Sequence, residues 1–183
     1  LDGQLPHRDF VSLQPPLSFY TTAAAFELLG TSLTSLRALG MGVYLAIALL
    51  VYGLGRQLAR PLAALLAALP ACVLGMPFFD FVPFAAWQGV LLSLTASILV
   101  VRAATERAAG AQRALALGAG VATALAALAR HDQGFYVCVA ALLYALLLRT
   151  RVRGLVDASQ STRPWVTTWV AGLALALVPL ALY

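Results

Sequence analysis

Six long apolar runs, separated by short arginine-bearing connections, constrain this chain more than any other feature. They cover residues 36–55, 61–76, 85–101, 114–129, 134–148 and 166–183. Hydrocarbon cannot hydrogen-bond a peptide group, so a run of roughly 17–25 apolar residues crosses a bilayer as a helix. Several of the six are shorter. Their helices are expected to extend into flanking polar residues, or to sit where the bilayer is thinned. None shows the roughly ten-residue alternation of a membrane β-strand. Charged residues make up 10% of the 183 positions, against about 25% in soluble domains. The expected fold is all-α, a polytopic transmembrane helix bundle over residues 36–183.

Residues 1–35 have a different character. Asp2, His7, Arg8, Asp9 and Gln14 crowd the first fourteen positions, and costly polar groups beside a membrane bundle mark a candidate site. Pro15-Pro16 suits a helix start, because the first turn has no use for the N–H that proline lacks. Gly30 suits a helix end. A helix over about 15–29 is too short to cross comfortably. It is expected to lie at the interface as part of an outer loop segment, anchored by Phe19, Tyr20 and Phe26. Residues 31–35 offer caps for the first span. The chain lacks an initial Met and ends inside an apolar run, so it is expected to be a fragment of a larger protein.

All twelve basic residues are arginine. Nine fall in one set of connections: Arg56, Arg60, Arg102, Arg107, Arg113, Arg149, Arg151, Arg153 and Arg163. Three fall in the other: Arg8, Arg37 and Arg130. By the positive-inside rule the nine are cytoplasmic and the polar N-terminal segment faces outward, periplasmic or extracellular. Asp2, Asp9, Glu27, Asp80, Asp132, His7 and His131 join the outer set, which therefore has the composition of a site. The absence of lysine and the wealth of alanine suggest a GC-rich bacterial genome, and hence a bacterial inner membrane. No nucleic-acid partner is expected. Cys72 and Cys138 read as small apolar residues, and no ligand spacing supports a metal site. Trp87, Trp165 and Trp169 are expected at the membrane interfaces. Thr95 and Ser97 are expected to hydrogen-bond between helices, and Ala116, Gly120 and Ala124 to allow close helix packing.

Four outer-side groups could carry chemistry. Arg8-Asp9 beside Gln14-Pro15-Pro16 reads either as a substrate-facing loop or as a solvated turn. In the first reading Asp9 accepts a proton and Arg8 holds a phosphate with its planar fork. His7-Arg8-Asp9 is no kinase triplet, because Gln14 stands where that motif needs Asn. Arg130-His131-Asp132-Gln133 places four polar residues between two apolar runs. Arg130 can neutralise a lipid phosphate while His131 or Asp132 works on a hydroxyl; alternatively these charges simply reach the headgroups. Asp80, in a stretch of aromatics bounded by prolines, is either pushed towards its neutral form by desolvation among the rings or caps the next helix near Pro83. Arg37 is either an interfacial side chain or a phosphate ligand.

These residues resemble a family. Leu1-Asp2-Gly3, Pro6, Arg8-Asp9-Phe10, Gln14-Pro15-Pro16-Leu17, Tyr20, Leu28, Gly30, Ser32 and Arg37 follow, in order, the first outer loop of GT-C polytopic glycosyltransferases. The branch resembled is that of protein O-mannosyltransferases, aminoarabinose transferases and Rgt-like bacterial enzymes. Ala129-Arg130-His131-Asp132-Gln133-Gly134 is similar to that family's short basic turn. The resemblance implies transfer of a hexosyl or pentosyl group from a polyprenyl-phosphate donor to a lipid, glycan or protein acceptor at the outer membrane face. It implies an acidic base in the first outer loop, and basic groups, in some members with a divalent metal, at the donor phosphate. The family's main acid lies upstream of the matching stretch. It is therefore expected before Leu1, with Asp9 a weak substitute, and the chain alone is expected to be inactive. Arg130, Arg37 and Arg8 are the expected phosphate ligands; Gln14, Asp80, His131 and Asp132 are the expected substrate contacts.

Two other classes compete. A transporter would break its helices near mid-membrane and repeat them inverted, whereas here the polar interruptions fall at outer connections. A non-catalytic membrane scaffold would have no need of the outer acids and histidines.

Overall fold

The computed structural model describes residues 15–75, 85–155 and 163–181. Those residues form seven helices and no strand: α1 (Pro16–Leu29), α2 (Leu33–Leu58), α3 (Pro61–Gly75), α4 (Ala85–Thr105), α5 (Ala109–Ala129), α6 (His131–Leu155) and α7 (Arg163–Ala181). Four segments are long and apolar enough to cross a membrane: Leu33–Gln57, Ala85–Thr105, Ala109–Ala129 and His131–Leu148. Pro61–Pro70 and Trp165–Leu177 are apolar but shorter. Helices α4, α5 and α6 all exceed the apolar runs on which they are built, because backbone hydrogen bonding continues through Thr105, Gln112 and the polar triplet 131–133.

Local chemistry fixes the helix ends. Pro16 opens α1. Gly30 closes it at φ +85°, donating its N–H to Phe26 O at 2.9 Å; this backbone region suits glycine, which has no Cβ to clash. Ser32 caps α2, its Oγ accepting from Ser35 N at 3.1 Å. The Ser35 hydroxyl reaches back to Leu29 O at 3.0 Å and so ties the end of α1 to the start of α2. At the opposite end of the bundle, Glu106 Oε1 accepts from Arg107 N and Ala108 N, both at 2.9 Å. It supplies a negative charge where α5 begins, as the helix dipole favours.

Helix α5 is the hub, in contact with α1, α4, α6 and α7. It buries Ala116, Ala119, Gly120, Ala122, Thr123, Ala124, Ala126 and Ala129. A Cβ on Gly120 would run into Trp169 O, and a Cβ on Gly172 into Leu117 O. The backbones of α5 and α7 therefore meet directly. Lipid is as apolar as leucine, so helices in it gain little from burying hydrocarbon, and association rests on close contact between small residues. The large apolar side chains point the other way. Leu142, Leu143, Leu146 and Leu147 form an exposed stripe on α6, and Leu45, Leu49, Leu62 and Leu66 stand exposed on α2 and α3. Small residues inside and leucine outside is the pattern of a protein that lipid solvates.

Two expectations from sequence are corrected here. Trp165 and Trp169 do not turn their rings to lipid as belt residues do; they are 2% and 3% exposed in the core beside Val100, Ala116 and Ala119. The alanines and glycines of α5 leave room that only large rings on α7 can fill. Trp169 Nε1 donates to Thr123 Oγ1 at 3.3 Å, which satisfies its one polar atom. Thr95 and Ser97 do not bridge helices. Their hydroxyls donate to Leu91 O and Ser93 O of the same helix, at 2.9 and 2.8 Å.

The α5–α7 contact is directly testable. Gly120→Val is expected to destabilise the protein by about 1–3 kcal/mol through overpacking. Gly42→Ala, where an added Cβ meets nothing within 4 Å, is expected to hold or raise stability by about 0.5–1 kcal/mol. Thermal unfolding in detergent would compare the two, and equal midpoints would mean that α5 and α7 do not meet at Gly120.

Candidate functional site

A group of polar residues lies where α5 ends and α6 and α4 begin, beside α1. Helices α5 and α6 are joined by a single residue, Arg130. Its N–H donates to Ala126 O at 2.8 Å, closing α5. Its carbonyl accepts from Gln133 N and Gly134 N, at 3.1 and 3.3 Å, opening α6. So sharp a reversal requires glycine at 134, where a Cβ would overlap Ala127. His131, Asp132 and Gln133, expected from sequence in a turn, are instead the first turn of α6.

That geometry positions the charges. Asp132 lies in the first turn of α6, where the helix dipole favours an anion. Arg130 Nε donates to both its carboxylate oxygens, at 2.8 and 3.0 Å. The two side chains are 48% and 40% exposed. The ion pair therefore stands at a surface, held in one orientation but accessible. His131 beside it is exposed. Gln133 turns towards α4, where its Oε1 accepts from Ser93 Oγ at 3.4 Å. Gly89 of α4 sits against this corner: an added Cβ would lie 3.1 Å from Gln133 Cγ and 3.3 Å from Arg130 Cβ.

Below the corner, the same α4–α6 seam opens into an apolar crevice. It is lined by Ser97, Val100 and Val101 of α4 and by Val137, Ala140, Ala141 and Tyr144 of α6, with a volume of about 150 Å³. Ser93 opposite Gln133 thus marks the head of a seam that turns apolar within one helical turn.

The sequence-derived candidates divide accordingly. Arg130, His131 and Asp132 are brought together at this corner. Arg37 lies exposed near the start of α2, and no ion pair joins it to a described acid. Arg8, Asp9, Gln14 and Asp80 lie outside the described residues. Among the described residues no three of His, Cys, Asp and Glu converge as a metal site. Sequence reasoning missed Gly89, Gln88, Thr21 and Tyr44. Gln88 Nε2 donates to Thr21 Oγ1 at 2.8 Å, joining α4 to α1. The available signal was a lone glutamine near the start of an apolar run, which is costly in a membrane unless partnered.

The comparisons with known proteins agree with this architecture. The family model of dolichyl-phosphate-mannose-protein mannosyltransferases matches residues 13–183. Neither the curated proteins nor the solved structures contain a match. The matched stretch takes in every described helix and the Arg130–Asp132 corner. The chain belongs to the dolichyl-phosphate-mannose-protein mannosyltransferase family, and it is an integral membrane protein of the GT-C glycosyltransferase class.

Proposed function

We propose that this chain forms part of an enzyme that moves a sugar from a polyprenyl-phosphate carrier to an acceptor hydroxyl at the outer face of a bacterial inner membrane. One observation carries the reading. An accessible arginine, paired with its own carboxylate neighbour, stands at the end of the α4–α6 seam, which opens about two turns further along α6 into an apolar crevice. A lipid phosphate has this polarity, a charged head on a hydrocarbon chain. Arg130 faces the phosphate, with Arg37 and Arg8 as further cations of the same side. His131, Asp132, Gln14 and Asp80 belong to the substrate side. The distribution of arginines, nine against three, supports placing this end of the bundle outside. The six apolar helices α2 to α7 are read as six crossings of the membrane.

The chemistry follows from the charges. The acceptor oxygen attacks the anomeric carbon as the bond from that carbon to the phosphate oxygen breaks. The acceptor proton goes to a carboxylate base, placed by the family resemblance upstream of Leu1. The lipid phosphate leaves with increased negative charge, which a fixed guanidinium stabilises more in the transition state than in the ground state. The acceptor is a lipid, a glycan or a protein.

Assays of the full-length protein in liposomes, with a panel of polyprenyl-phosphate hexoses and pentoses, test this reading. Arg130→Ala is expected to lower kcat/KM by roughly 100- to 1000-fold, the loss typical of removing one donor from a developing anion. Arg130→Lys, which keeps the charge but not the fork, is expected to fall between. Near-normal turnover by Arg130→Ala would remove Arg130 from the site.

Asp132→Ala probes the aiming of Arg130 together with the contact of Asp132 itself on the substrate side. It leaves the Arg130 charge in place and releases its Nε. The expected result is roughly a tenfold fall in kcat/KM, since small misplacements of a positioning group have large kinetic effects. Unchanged kinetics in this variant would mean that the ion pair does not aim Arg130 in the working enzyme.

A further inference from the structure

Two buried polar atoms lie close to the Arg130 corner with no hydrogen-bond partner: Tyr44 Oη and Gln88 Oε1. Tyr44 is 1% exposed and Gln88 5%. The rings of Tyr44 on α2 and Trp87 on α4 are 5.0 Å apart, centroid to centroid. Gln88 follows Trp87 and meets α1 through Thr21. The two orphaned atoms therefore belong to one junction, where the first turn of α4 meets α2 on one side and α1 on the other.

The amide orientation of Gln88 is set by its neighbour. Thr21 Oγ1 donates its single proton to the carbonyls of Leu17 and Ser18, both at 3.1 Å. It can therefore only accept from Gln88, which must turn its NH₂ to Thr21 and hold Oε1 away. The result is a buried acceptor turned away from Thr21 and without a partner. Tyr44 adds a hydroxyl that can donate as well as accept. Leaving such atoms unpaired is costly, because each has given up its hydrogen bonds to water without replacement. A glutamine and a tyrosine retained in this state inside an otherwise apolar bundle call for a ligand that completes them.

We propose that Tyr44 and Gln88 form a subsite for the hydroxyls of a sugar ring. The site is neutral, so it suits a polyol rather than the phosphate. Gln88 Oε1 accepts from one hydroxyl, Tyr44 Oη donates to another, and Trp87 beside Tyr44 presents an aromatic surface of the kind on which the C–H face of a ring packs. Its place also fits. Gly89, the next residue of α4, packs against Arg130 and Gln133. One turn of α4 thus separates a cationic corner from a neutral, hydrogen-bonding one, as the phosphate and the sugar of one donor require. This inference rests on the glycosyltransferase reading above.

The test uses the full-length protein in liposomes, with whichever polyprenyl-phosphate sugar of the panel supports transfer, and with its monodeoxy analogues. Tyr44→Phe and Gln88→Met are each expected to lower kcat/KM roughly tenfold, the equivalent of about one lost hydrogen bond. Tyr44→Phe should leave thermal stability without donor unchanged or higher, because it deletes an unpaired buried hydroxyl. Each variant should also lose sensitivity to one monodeoxy donor that the wild type discriminates against, since the partner atom is already gone. Wild-type kinetics in both variants, alongside a severe loss in Arg130→Ala, would overturn the sugar subsite and leave the glycosyltransferase reading standing. A fall in thermal stability accompanying lost activity in both variants, with discrimination among deoxy donors intact, would equally overturn it, in favour of a packing role. Failure of the wild type to transfer any sugar of the panel would remove the underlying reading and the subsite with it.

Discussion

The contact on which the remaining structure depends is that of the α5 backbone with its neighbours. Water is absent from the bilayer core, so hydrocarbon burial cannot hold these helices together and contact distance must. Gly120 and Gly172 let α5 and α7 touch at the main chain, and Gly134 lets α6 fold back beneath Ala127. Trp165 and Trp169 then fill the space beside the alanine face, with the Trp169 N–H satisfied by Thr123. Had α5 carried leucine on these faces, α6 could not reverse after one residue. Arg130 would then stand in a loop instead of being clamped between two helix ends.

This clamping gives the Arg130–Asp132 pair its significance. An ion pair at the surface adds little to stability, so it is not what holds the corner together; the main-chain bonds through Arg130 do that. The pair is free to serve a different role. Asp132 uses the Nε edge of the guanidinium, and the fork at the far end of the side chain has further donors to offer. An oriented cation with spare donors, kept where a charge costs little, is suited to an incoming phosphate.

Some of this was legible in the sequence and some was not. The helical class, the proline start of α1, the Gly30 stop and the Ser32 cap are local signals, written in residue types whose backbone or side chain satisfies a helix end directly. The gathering of Arg130, His131 and Asp132 was legible because they are consecutive. What failed depended on partners far along the chain. Trp165 and Trp169 look like lipid-facing belt residues until the alanines of α5, about fifty positions earlier, are packed against them. Ser97 and Thr95 look like bridges until their own helix is seen to take their protons. The Gln88–Thr21 bond spans sixty-seven positions, and no local pattern announces it.

Gly89 shows how packing and chemistry are joined in so small a bundle. It lies between Gln88, whose amide faces α1, and the corner formed by Arg130 and Gln133. A Cβ there would fall within 3.1–3.4 Å of three side-chain atoms, so the neighbours would have to give way by a few tenths of an ångström. Arg130 can give way only by shifting the hinge between α5 and α6, because its N–H and its carbonyl are both bound into helix ends. Any movement at Gly89 would therefore be passed to the guanidinium and to the Gln133–Ser93 contact together. The lack of a side chain at one position of α4 allows the cationic corner and the neutral junction to sit on adjacent faces of a single turn. A ligand with an anionic group beside neutral hydroxyls could meet both only if they stay that close.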